Sequence, residues 1–154
     1  MSRENRPLRA LMAVMCAALF GGSACSTSKT TEVLPETHET RGVVTYNGLP
    51  AAGATVTFWK LPLNLRSKDA WRQPRPAAKV EPDGSFVPSC FDWQDGAVEG
   101  EYAVTLVWLN PAEPSRDMLN GRFANPAKPP LTVKISPGEN ALPPIRLTGA
   151  TVRP

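Results

Sequence analysis

The chain has 154 residues, a formal net charge of +3, 17 prolines and 11 glycines. That length suits about one domain, and so many turn formers exclude an architecture of long helices. A charge this close to balance argues against a nucleic-acid partner, and a single histidine excludes a zinc site built from histidines.

The first element is the one apolar run. Residues 1 to 9 carry Arg3, Arg6 and Arg9 against Glu4, and residues 10 to 20, ALMAVMCAALF, are apolar without interruption. A bilayer needs about 20 helical residues, so this segment reads as an export signal that is removed rather than as a membrane span. Its loss takes Arg3, Arg6, Arg9 and Glu4 away and lowers the net charge from +3 to +1. Two cleavage chemistries compete at the junction GGSAC. Gly22 and Ala24 are small at the positions a general signal peptidase reads, which would release a soluble secreted protein. Ser23, Ala24 and Cys25 resemble instead the bacterial lipobox, with Gly22 standing where leucine is usual. That resemblance implies diacylglyceryl attachment to Cys25, acyl chains of the palmitate class, and a protein anchored in a membrane of the cell envelope. Ser26 after the cysteine implies outer-membrane sorting on the same ground. Each buried methylene contributes about 0.8 kcal/mol, and two or more chains hold a protein stably.

Residues 25 to 40 then read as the lipidated cysteine and a tether. STSKTTEVLPETHET is polar and shows neither helical nor strand periodicity. Fully stretched, about 15 residues reach roughly 50 Å, and a coil spans nearer 20 Å. The one histidine, His38, falls in this segment, where a mobile chain cannot hold a ring against a nucleophile.

From residue 41 the pattern becomes short alternating runs between turns. RGVVTY (41 to 46) leads into the turn pair Asn47-Gly48, and ATVTFW (54 to 59) alternates with period two. AKV and SFV flank Glu81-Pro82-Asp83-Gly84, which predicts a tight hairpin. EYAVTLVWL (101 to 109) puts Tyr102, Val104, Leu106 and Trp108 on one face, LTVKI (131 to 135) puts Leu131, Val133 and Ile135 inside, and PIRLT offers Ile145 and Leu147. Seven short strands without an amphipathic helix predict an all-β sandwich over residues 41 to 150, followed by a short tail at 151 to 154. About 110 residues bury enough surface to fold without disulfides.

GVVTYNGLPAAGATVTF, EPDGSF and GEYAVTLVW, in that order, resemble the carboxypeptidase regulatory-like domain, and RFANPAKPPLTVKISPGENALPPIRL resembles the C-terminal part of one lipoprotein subgroup. The resemblance implies a seven-stranded transthyretin-like (prealbumin-like) sandwich with no enzymatic activity and no cofactor of its own. LPLNLRSKDAWRQPRPA (61 to 77) exceeds a hairpin connection and reads as a loop grafted on the sandwich.

That loop holds the candidate ligand site. Trp59, Lys60, Arg66, Lys68, Trp71, Arg72 and Arg75 stand against one acid, Asp69. Exposed tryptophans stack on sugar faces and clustered cations attract anionic polymers, so the candidate partners are a cell-wall glycan, a lipid headgroup or an envelope protein. The competing reading has both tryptophans capping the sandwich edge while the cations stay solvated. Trp108 is expected in the core, and Trp93 is undecided. Asp92, Asp95, Glu99 and Glu101 cluster without the spacing of a calcium loop, which makes solvated turn acids the expectation. No nucleotide-binding or metalloprotease motif is present. Cys90 is expected buried beside Phe91 as a small hydrophobe, unable to pair with a lipidated Cys25 and free to pair with an unmodified one.

Overall fold

The computed structural model describes residues 33 to 66 and 72 to 149, and the fold below is that of the compact unit beginning at Leu34. It is an all-β sandwich, with no α-helix among the described residues. Its strands in chain order are β1 (Thr37–His38), β2 (Thr40–Tyr46), β3 (Leu49–Pro50), β4 (Thr55–Lys60), β5 (Ala77–Lys79), β6 (Ser85–Phe86) and β7 (Ala97–Val98). They continue with β8 (Gly100–Val107), β9 (Leu109–Asn110), β10 (Glu113–Asp117), β11 (Leu131–Ile135), β12 (Asn140–Ala141) and β13 (Ile145–Leu147). From residue 41 onward, each of the seven predicted runs contains a strand. The others, β1, β3, β7, β9, β10 and β12, are short pieces that backbone pairing creates and side-chain patterning does not announce.

One sheet runs β11-β8-β4-β5, antiparallel throughout. In the other, β2 is central: β12 and β13 pair with it in parallel on one side, while β3 and β6 pair antiparallel on the other. The inner faces meet in one core. Val56 and Phe58 of β4, Tyr102, Val104 and Leu106 of β8, and Val133 and Ile135 of β11 pack with Val44, Tyr46, Phe86, Ile145 and Leu147. Phe58 sits between Tyr102 and Phe86, with ring centroids 6.0 and 6.3 Å away.

One turn expectation holds in this fold and two others change. The pair Asn47-Gly48 has φ of 50° and 82°, the two positive values a tight hairpin between β2 and β3 needs. Asp83-Gly84 also makes a tight turn, with Glu81 N–H donating to the Ser85 carbonyl at 2.8 Å, but it does not close a hairpin within one sheet. β5 pairs with β4 and β6 with β2, so the chain changes sheet at this corner. The physical reason is Gly42, the cross-strand partner of Phe86, which leaves room for the ring to lie over the β2 backbone.

The stretch expected as tether is also ordered at its end. Thr37 and His38 pair with Val98 and Ala97, and Thr40 is buried, its Oγ1 donating to the His38 carbonyl at 2.9 Å. Polar side chains hid this strand, because its hold on the sandwich is through the backbone. A Cβ on Gly96 would lie 2.0 Å from the His38 carbonyl oxygen, so glycine alone lets the two chains approach.

Candidate functional site

Alternation along β4 turns Thr55, Thr57 and Trp59 to the outer face, opposite Val56 and Phe58. Trp59 lies across from Ala103 of β8, and its indole N–H donates to Thr105 Oγ1 at 2.8 Å. The Arg75 guanidinium stacks 4.4 Å above the indole centroid. Lys60 Nζ donates to the Glu99 carbonyl at 3.1 Å. The structure therefore brings Trp59, Lys60 and Arg75 of the predicted site together, and they are half-buried or engaged with one another and with the sandwich. The space among them is about 20 Å³, closed down by Leu63, Leu65 and Pro74. That is room for about one water, not for a sugar ring. Arg66 and Arg72 are exposed. Lys68, Trp71 and Cys25 lie outside the described residues.

The acids at 92 to 101 are spread over turns and strand ends. Asp95 gathers the chain before it: Oδ1 accepts from the Cys90 N–H at 2.6 Å, and Oδ2 from those of Phe91 and Asp92 at 3.0 and 3.1 Å. Asp92 accepts from the Trp93 N–H at 2.7 Å. Glu101 stands opposite Lys134 on the exposed face of the β8–β11 pair. Asp117 does for the next turn what Asp95 does here, accepting from the N–H groups of Trp108, Leu119 and Gly121 at 3.0, 3.0 and 2.7 Å. Sequence reasoning passed over Asp117, although an aspartate three residues before Asn120-Gly121 is a turn signal.

Cys90 is half-buried rather than core, and Phe91 is exposed. Both lie in the turn whose three successive N–H groups donate to Asp95. Burial, with the Asp95 charge second, pushes the Cys90 thiol up to about 11. Burial likewise raises the Tyr102 phenol to about 12, with the neighbouring Cys90 adding to it.

His38 is held, not mobile. Its Nδ1 accepts from the Gly138 N–H at 3.4 Å, at a cleft of about 710 Å³ that Glu36, Glu39, Glu99 and Glu139 also line. Arg41 pairs with Glu39 at 3.3 Å and with Glu139. Among the described residues, Thr37 supplies the one hydroxyl that lines this cleft beside the histidine.

The more open surface lies at the other end of the outer face. Thr55 and Lys79 are cross-strand partners on β4 and β5, both exposed. Two clefts share this pair: one of about 340 Å³ walled by Trp108, Leu109 and Asn110, and one of about 250 Å³ walled by Trp93, Gln94 and Ser89. Trp93 is 79% exposed. Trp108 is half-buried, because its ring packs edge-on against Tyr46 at 6.1 Å while the strand ends beneath it at Val107. Among the described residues, nothing accepts from either indole N–H, and Thr55 Oγ1, Lys79 Nζ and the Gln94 amide have no hydrogen-bond partner. Sequence patterning missed this pair because Trp93 follows no period and Trp108 continues the buried period of β8.

Comparison of the chain with protein-family models, with curated proteins and with solved structures finds no match in any of the three.

Proposed function

We propose that this chain is a non-catalytic, lipid-anchored protein of the cell envelope whose β-sandwich serves as a binding or structural module. The observation that carries the reading is Cys25, placed directly after Ser23 and Ala24 at the end of a charged and then apolar leader. The lipobox and the carboxypeptidase regulatory-like motifs it resembles support the same role. Between Cys25 and the first strand at Thr37 lie about a dozen residues, which reach at most about 40 Å. A sandwich anchored this way works within a short radius of the membrane surface. Asp95 and Asp117 spend their oxygens on backbone N–H groups and organise turns, a structural use of these two acids.

Intact mass of the chain extracted from the membranes of a producing bacterium tests the proposal. A diacylglyceryl and acyl increment on a chain starting at Cys25, with Cys25→Ser moving the protein to the soluble fraction, is the expected result. A chain that begins at an unmodified Cys25, or that stays membrane-bound as Cys25→Ser, overturns it.

A further inference from the structure

We propose that the outer face over the Thr55–Lys79 pair, between Trp108 and Trp93, binds an anionic polysaccharide of the uronate class. The inference rests on the folded unit and holds whether or not Cys25 carries lipid. The two clefts adjoin across a shared pair of residues, and together they enclose a volume typical of small-molecule sites. An aromatic wall at each end suits the apolar C–H faces of successive sugar rings, and two indole N–H groups, a threonine hydroxyl and a glutamine amide suit their hydroxyls. Trp93, Thr55, Lys79 and Gln94 are exposed, and their side-chain polar groups and the Trp108 indole N–H have no hydrogen-bond partner among the described residues, whereas the Trp59 N–H is taken by Thr105 and its ring is covered by Arg75.

Charge selects the ligand class. Among the described residues, Lys79 is the one charged residue lining the Trp108 cleft, which suits a carboxylate there; Glu81 lines only the Trp93 cleft. A single cation is too few for a nucleic-acid backbone, which is held by several phosphate contacts at once. An added peptide strand needs a bare sheet edge. Here Ala77 of β5 exchanges both backbone hydrogen bonds with Ser89, at 3.1 and 2.8 Å, so that part of the edge is already taken.

Titration of the full chain with polygalacturonate and with hyaluronan, followed by calorimetry and tryptophan fluorescence, tests the site. Binding of at least one polymer with a change in tryptophan emission is expected. Trp93→Ala and Lys79→Gln, both at exposed positions, should each weaken it at least tenfold, and Arg75→Gln should leave it unchanged. Neutral xylohexaose should bind at least tenfold more weakly than the uronate polymer. The proposal is overturned if neither polymer binds, if polyglutamate binds as well as the glycans, if xylohexaose binds equally, or if Arg75→Gln rather than Trp93→Ala abolishes binding.

Discussion

Gly42 shows how much one missing side chain decides. A Cβ there would lie 2.5 Å from Phe86 Cζ and 2.7 Å from Cε1, inside any real contact distance, and the ring is in the core where it cannot step aside. The glycine has no positive φ to account for it; its role is to admit an aromatic ring over the strand. Gly42→Ala should therefore cost about 1–3 kcal/mol, as overpacking of a filled core does, and urea unfolding followed by tryptophan emission measures it. A loss below about 0.5 kcal/mol would mean that Phe86 moves freely, against its near-complete burial. Nothing in the run RGVVTY identifies this role, because the partner that needs the space is more than forty residues away. Trp93 and Trp59 teach the converse. Alternation correctly turned Trp59 outward, yet it is hydrogen-bonded to Thr105 and covered by Arg75, while the unpatterned Trp93 is the most solvent-open of the described tryptophans.

Among the elements, those whose side chains alternate were legible and those held by the backbone were not. β2, β4, β8, β11 and β13 declare themselves because one face of each must be buried. β1 and β7 do not, because two polar residues, Thr37 and His38, pair with Val98 and Ala97 through main-chain groups. Which strands pair was also hidden: Asp83-Gly84 specifies a turn, but whether its arms stay in one sheet depends on where Phe86 finds room. The connection after β8 is the clearest case of an element organised by a single acid. Asp117 joins the end of β8 to the turn that carries the fully buried Leu119, through three backbone N–H groups. Asp117→Ala removes a charged acceptor from all three, and a loss of about 1–3 kcal/mol is expected. Amide exchange at Trp108, Leu119 and Gly121 should rise before that of β4 or β11. Uniform acceleration across the sandwich would show instead that the turn and the sheets open as one unit.

At the scale of the whole molecule, the fold divides its two outer ends between closure and access. The grafted loop covers the Trp59 end of the sheet, and the Thr55–Lys79 end stays open between two tryptophans. The half-buried Cys90 and the core residue Tyr102 interact, and together they give the molecule a pH dependence that belongs to no single strand. The Tyr102 hydroxyl donates to the Val98 carbonyl at 2.8 Å, pinning the corner between β7 and β8, and both groups are held in their protonated forms. In the unfolded chain the thiol ionises near 9.0 and the phenol near 10.0, whereas folding raises them to about 11 and about 12. Between these values the folded state binds more protons than the unfolded one, so stability is fully present below pH 9 and falls as pH rises toward 12. Urea midpoints measured from pH 8 to pH 12 should decline over that window. Cys90→Ala should flatten the decline between about 9 and 11, and Tyr102→Phe should flatten it above about 10 while shifting the whole curve down through the lost bond to Val98. A midpoint independent of pH in the parent protein would mean that both groups ionise without unfolding, and that the β7–β8 corner is open to water in a way its burial does not allow.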